Sequence, residues 1–113
     1  MDIRLITQSD TADCVITDTY TRKKSDSVIT VHSTDSEQHK TAVLNAIAEK
    51  DDKTLSEIHY IASLTSGWVN VSIDGKELEF SYENAVLLYK TSSTVFNEVN
   101  RFIGNARNFL PKR

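Results

Sequence analysis

GWVNVSIDGKELEF, residues 67–80 of a 113-residue chain, is the stretch on which the reading of the fold turns. Asp74-Gly75 is a residue pair favoured by a two-residue type I′ turn, because both central positions of that turn need positive φ. Counting outward, Ile73 faces Lys76, Ser72 faces Glu77, Val71 faces Leu78, Asn70 faces Glu79 and Val69 faces Phe80. One face of the predicted hairpin is then apolar and the other polar. An isolated hairpin is marginal in water, so its apolar face must pack on other elements, for which helices are expected.

Upstream, Ile3 and Leu5 alternate with polar neighbours, and CVITDTYT and SVITVHS are rich in β-branched residues, so residues 1–33 read as mainly β. RKKSD between them is a solvated connection. At TDSEQHKTAVLNAIAEK the period changes: Thr34 and Glu37 have capping-box spacing, and Val43, Leu44 and Ile47 recur at helical spacing. A second such pair, Thr54 and Glu57, opens a helix with Leu55, Ile58, Ile61 and Ala62 on one face. Residues 34–66 therefore read as two helices joined by the polar turn EKDDK. In residues 81–110 Ser81 caps a short helix, YENAVLLY. Ser93 caps a longer one with a stripe of Val95, Val99, Phe102, Ile103, Ala106, Phe109 and Leu110, ended by Pro111. The expected fold is a single α+β domain over 1–113, in which N-terminal β-strands and a central β-hairpin pack with about four α-helices.

Composition narrows the function. Apolar residues make up 39% of the chain and charged residues 26%, with three glycines and one proline, which suits a folded domain rather than a disordered one. The net charge of -3 gives no overall attraction to nucleic acid or anionic membrane. A lone cysteine, Cys14, forms no intramolecular disulfide, and no apolar run is long enough for a membrane span, so a cytosolic protein is expected. His32, His39 and His59 lack the spacing of a metal site, no GxSxG elbow occurs, and the glycines are isolated. The expectation is a non-enzyme without metal or cofactor. Residues 101–113 carry Arg101, Arg107, Lys112 and Arg113 and no acid. Cations suit a helix C-terminus electrostatically, and the same residues suit an acidic partner with Phe109 and Leu110 as apolar anchors.

In order and spacing, VITVHSTDSEQHKTA, SGWVNVSIDGKELEFSYENAVLLY and EVNRFIGNARNFLPKR resemble the tail assembly chaperones of long-tailed bacteriophages, from about Val28 onward. The resemblance implies an assembly factor that binds the tape-measure protein, keeps it soluble and helps recruit tail-tube subunits. It further implies a homo-oligomer in the host cytoplasm, absent from the mature virion. Such families often make a longer product by ribosomal frameshifting, and Leu110-Pro111-Lys112 can be encoded by a slippery heptamer. The expected partner-binding residues are Trp68, Phe102, Phe109 and Leu110. The alternatives are a head-tail connector or tail-completion protein retained in the virion, and a small nucleic-acid binder using Lys23, Lys24 and the C-terminal cations.

Overall fold

The structure, a computed structural model, describes residues 11–110. The alternation at Ile3 and Leu5 and the stop at Pro111 lie outside them. Strands β1 (Thr11–Thr17) and β2 (Lys24–His32) form an antiparallel hairpin, and β3 (Thr65–Val69) pairs antiparallel with β2, giving the order β1-β2-β3. Helices α1 (Gln38–Ala48) and α2 (Lys53–Leu64) lie between β2 and β3 in sequence. The short strands β4 (Ser72–Ile73) and β5 (Lys76–Glu77) then precede α3 (Tyr82–Thr91), α4 (Ser93–Gly104) and a 3-10 turn, Ala106–Phe109. The fold is α+β, with N-terminal strands, a β-hairpin and four helices.

The period of two in β1 and β2 sends Cys14, Ile16, Ile29 and Val31 to the buried face of the sheet. There they join Ile58, Ile61 and Leu64 of α2, Ala85, Leu88 and Tyr89 of α3, and Val99 and Ile103 of α4 in one core cluster. The junction between α2 and β3 has no loop. Thr65 leaves the helix in extended conformation, and its buried hydroxyl donates to the Ile61 carbonyl at 3.0 Å. That hydroxyl's single hydrogen is thereby used, so the Tyr89 hydroxyl, 2.7 Å away, is the donor to Thr65 Oγ1.

The hairpin at Asp74-Gly75 has the expected register at its tip, with Ile73 opposite Lys76 and Ser72 opposite Glu77. Asp74 and Gly75 have φ of 52° and 78°, as the turn requires. The Leu78 amide extends the pairing by donating to the Val71 carbonyl at 2.8 Å. Beyond this the expectation needs correction, because Val69 pairs with Val28 of β2 and not with Phe80. Asn70 is the cause: at φ 57° it turns the chain out of the small hairpin and into the larger sheet. Its side-chain amide donates to the Asp26 carbonyl at 3.0 Å, and its own carbonyl accepts from the Ser27 hydroxyl at 2.5 Å. Phe80 packs edge-on against Trp68 instead, at 5.0 Å between ring centroids.

Helix starts shift from the expected residues. Asp52 caps α2 by accepting from the Leu55 amide at 3.0 Å, and Ser92 caps α4 by accepting from Val95 at 3.2 Å. Thr54 and Ser93 already lie inside those helices. Ser81 caps α3 as expected, accepting from Asn84 at 3.0 Å. At α1, residue Glu37 occupies the cap position with helical φ and ψ and makes no side-chain cap bond, so no capping box forms. The terminal stripe is not one continuous helix. α4 stops at Gly104, Asn105 is extended, and its side chain accepts from the Arg107 amide at 3.1 Å to start the 3-10 turn.

Candidate interaction surface

The four residues expected to bind a partner do not gather on one face. Trp68 is half-buried on β3, where its indole N–H donates to the Leu78 carbonyl at 2.7 Å and ties the sheet to the small hairpin. Phe102 and Phe109 lie near β1, at the other edge of the β1-β2-β3 sheet, with their rings 5.9 Å apart. Phe109 is only 1% exposed, because the break after Gly104 lets the 3-10 turn fold back over the core. The Asn108 side chain fastens that return by donating to the Phe102 carbonyl at 2.9 Å. Leu110 is 48% exposed. As the chain is folded, Phe109 is a core residue, and Leu110 is the one of the four that presents most of its apolar surface to solvent.

The largest departure from ordinary helix packing is at α1, which is inverted. Its polar side chains Gln38 and Asn45 point into the molecule, where Gln38 donates to the Ser63 carbonyl at 3.0 Å and Asn45 to the Ser63 hydroxyl at 2.8 Å. Ser63 in turn donates to the His59 carbonyl at 2.7 Å, and Ser56 donates to the Ala46 carbonyl at 2.8 Å. The inward apolar contact of α1 is made by Ala42, which is fully buried. Its large apolar residues face away: Leu44 is 68% exposed and Ile47 is 56% exposed, with Val43 beside them. The residues by which the helix is recognised in the sequence are thus the ones it does not bury.

Sequence reasoning missed this surface because period alone assigns an apolar stripe to a helix without saying which way it points. The signal that could have found it was the small and polar set Gln38, Ala42, Asn45 and Glu49. These also share one side of the helix, and they suit close approach with hydrogen bonding to α2. The α1 stripe borders an open groove of about 350 Å³ between α1 and α2, lined by Val43, Ala46, Ile47 and Lys50 from one helix and Lys53, Ser56, Glu57 and Tyr60 from the other. Tyr60 is held at the far end of the groove by an edge-on contact with His39, ring centroids 5.7 Å apart, and burial pushes its phenol above the ordinary value.

Elsewhere several polar groups are engaged with one another, although the buried Ser33 hydroxyl has no partner among the described residues. Glu98 accepts from the Thr17 amide at 3.0 and 3.2 Å and from its hydroxyl at 2.8 Å, with Lys24 at 3.8 Å. This knot pins α4 to the end of β1. His59 Nδ1 meets the Tyr82 hydroxyl across α2 and α3, and burial raises the Tyr82 phenol. Burial also pushes the Cys14 thiol up to about 11, with the Glu98 carboxylate adding to the rise and Lys24 opposing it, so at neutral pH the sulfur stays protonated. Among the described residues no group of three or more His, Cys, Asp or Glu side chains is placed to hold a metal ion, and no helix is long and apolar enough to cross a membrane. Comparison with protein-family models, curated proteins and solved structures returns no match to this chain.

Proposed function

We propose that this protein is a tail assembly chaperone of a long-tailed bacteriophage, which covers apolar surface on the tape-measure protein until the tail tube encloses it. The outward apolar stripe of α1 carries the reading. A protein that must hold and then release an elongated apolar partner needs an apolar face of its own that costs little to uncover, and a helix anchored through polar side chains provides one. The ordered resemblance of the sequence from about Val28 supports the same function. On this reading the protein works in the host cytoplasm, carries out no chemistry, helps bring tube subunits to the tape measure and is left out of the finished particle.

The test is co-expression with a tape-measure protein of such a phage, scoring the solubility of the tape measure and its co-purification. Wild type is expected to yield a soluble complex and Leu44→Asp to lose it. A tape measure that stays insoluble, with no co-purification despite a folded partner, would overturn the proposal. Detection of the protein in purified virions by mass spectrometry would favour a retained connector or completion protein instead.

A further inference from the structure

A small cavity of about 100 Å³ lies where β1, β2, β4, α3 and α4 meet, at the base of the Asp74-Gly75 hairpin. Its walls are Ile16, Ile29, Val71, Leu88 and Val95, with the hydroxyls of Ser27 and Ser72 beside them. Ile16, Ile29, Val71 and Leu88 are buried whereas Ser72 is exposed, so the cavity reaches solvent beside Ser72. Apart from the two hydroxyls the lining side chains are aliphatic carbon, and the Ser27 hydroxyl already donates its hydrogen to the Asn70 carbonyl. A buried water needs two to four polar partners and would find only these two oxygens among the lining side chains. The space therefore suits carbon better than water, in a core where unfilled volume costs stability.

We propose that this cavity is a binding site for one small branched aliphatic group, the size of an isobutyl group, which enters beside Ser72. Volume sets the size: a core cavity of roughly 150 Å³ holds the six carbons of benzene, so one of about 100 Å³ holds about four in proportion. The walls resist closing over the space. Ile16, Ile29, Val71 and Val95 are β-branched and stiff at χ1, which limits how far they rotate inward. Val71 is also fixed along the chain, because its carbonyl accepts from the Leu78 amide at 2.8 Å and the preceding Asn70 is bonded to Asp26 and Ser27. The group can be a free hydrocarbon or the leucine side chain of a partner, and the two sources are separable by experiment. No residue of the α1 stripe lines the cavity, so the inference does not rest on the chaperone reading.

The probes are isobutane and N-acetyl-leucinamide, titrated into the full chain and followed through the methyl resonances of Val71, Leu88 and Val95. Isobutane is expected to shift these methyls saturably, and benzene, which is too large, to bind at least tenfold more weakly. Shifts with both isobutane and N-acetyl-leucinamide support the proposal with a partner's leucine as the source. Shifts with isobutane alone support it with a free hydrocarbon as the source. Val95→Phe, at a half-buried position, fills the cavity and should weaken isobutane binding at least tenfold without loss of helical circular dichroism. Ser72→Leu narrows the exposed mouth and should act in the same sense, which keeps the test open if the first variant fails to fold. No shift with isobutane, benzene bound as tightly as isobutane, or an isobutane affinity unchanged in the folded variants would each overturn the proposal.

Discussion

Two buried side chains show how single residues are held and what they should do on perturbation. Cys14 has a thiol raised from 9.0 to about 11, chiefly by burial, so between those values the unfolded chain loses a proton that the folded chain keeps. Stability from this group is therefore complete below pH 9 and falls as pH rises toward 11. Wild type is expected to lose up to about 2 kcal/mol more than Cys14→Ala across that window, measured as the difference in urea midpoints. Tyr89 is held in the same core, its phenol raised by burial and hydrogen-bonded to Thr65. Tyr89→Phe removes the donor but leaves the Thr65 hydroxyl bonded to Ile61, so the expected cost is about 1 kcal/mol, a single hydrogen bond.

At the scale of the element, helix starts and the hairpin turn make sharp claims. Asp52→Ala should destabilise by about 1 kcal/mol and Thr54→Ala by less than about 0.5, because only Asp52 accepts from the first turn of α2. Ser92→Ala and Ser93→Ala should differ in the same sense at α4, and thermal or urea unfolding of the four variants checks both pairs. Gly75→Ala places a side chain at φ 78°, and a loss of about 1 kcal/mol or more is expected although no atom crowds that position. Read from the sequence, the caps fall at Thr54 and Ser93, and the structure puts them at Asp52 and Ser92. Each type is a good cap, so the choice depends on where the preceding chain enters, which is a matter of tertiary path.

For the molecule as a whole, the orientation of α1 is the decisive feature. If the helix is inverted as described, Leu44→Asp leaves stability within about 0.5 kcal/mol of wild type, whereas Ala42→Asp buries an unpaired carboxylate and costs about 3 kcal/mol or more. Chemical denaturation of the two variants reads this directly, and the reverse ranking would show α1 packed by its apolar face. The same comparison separates a binding defect at Leu44 from a folding defect.

What the amino acids determined locally is what short range physics can decide. The positive φ demanded at Asp74 and Gly75 set the turn and the pairing of Ile73 with Lys76, the period of two in β1 and β2 set their buried face, and the hydroxyl of Ser81 set the start of α3. The α+β class was legible from these and from the helical spacings. The partner of Val69, the burial of Phe109 and the direction of the α1 stripe were settled only by the tertiary structure. Val69 goes to Val28 because Asn70 is bonded to Asp26 and Ser27, residues distant in sequence, and Phe109 turns inward because α4 breaks at Gly104 beneath β1. The α1 stripe faces out because Ser63 takes both Gln38 and Asn45, satisfying polar groups at close range while Ala42 fills the small space left beneath the helix. Periodicity records that a helix has two faces, and the choice between them belongs to the surface on which it lands.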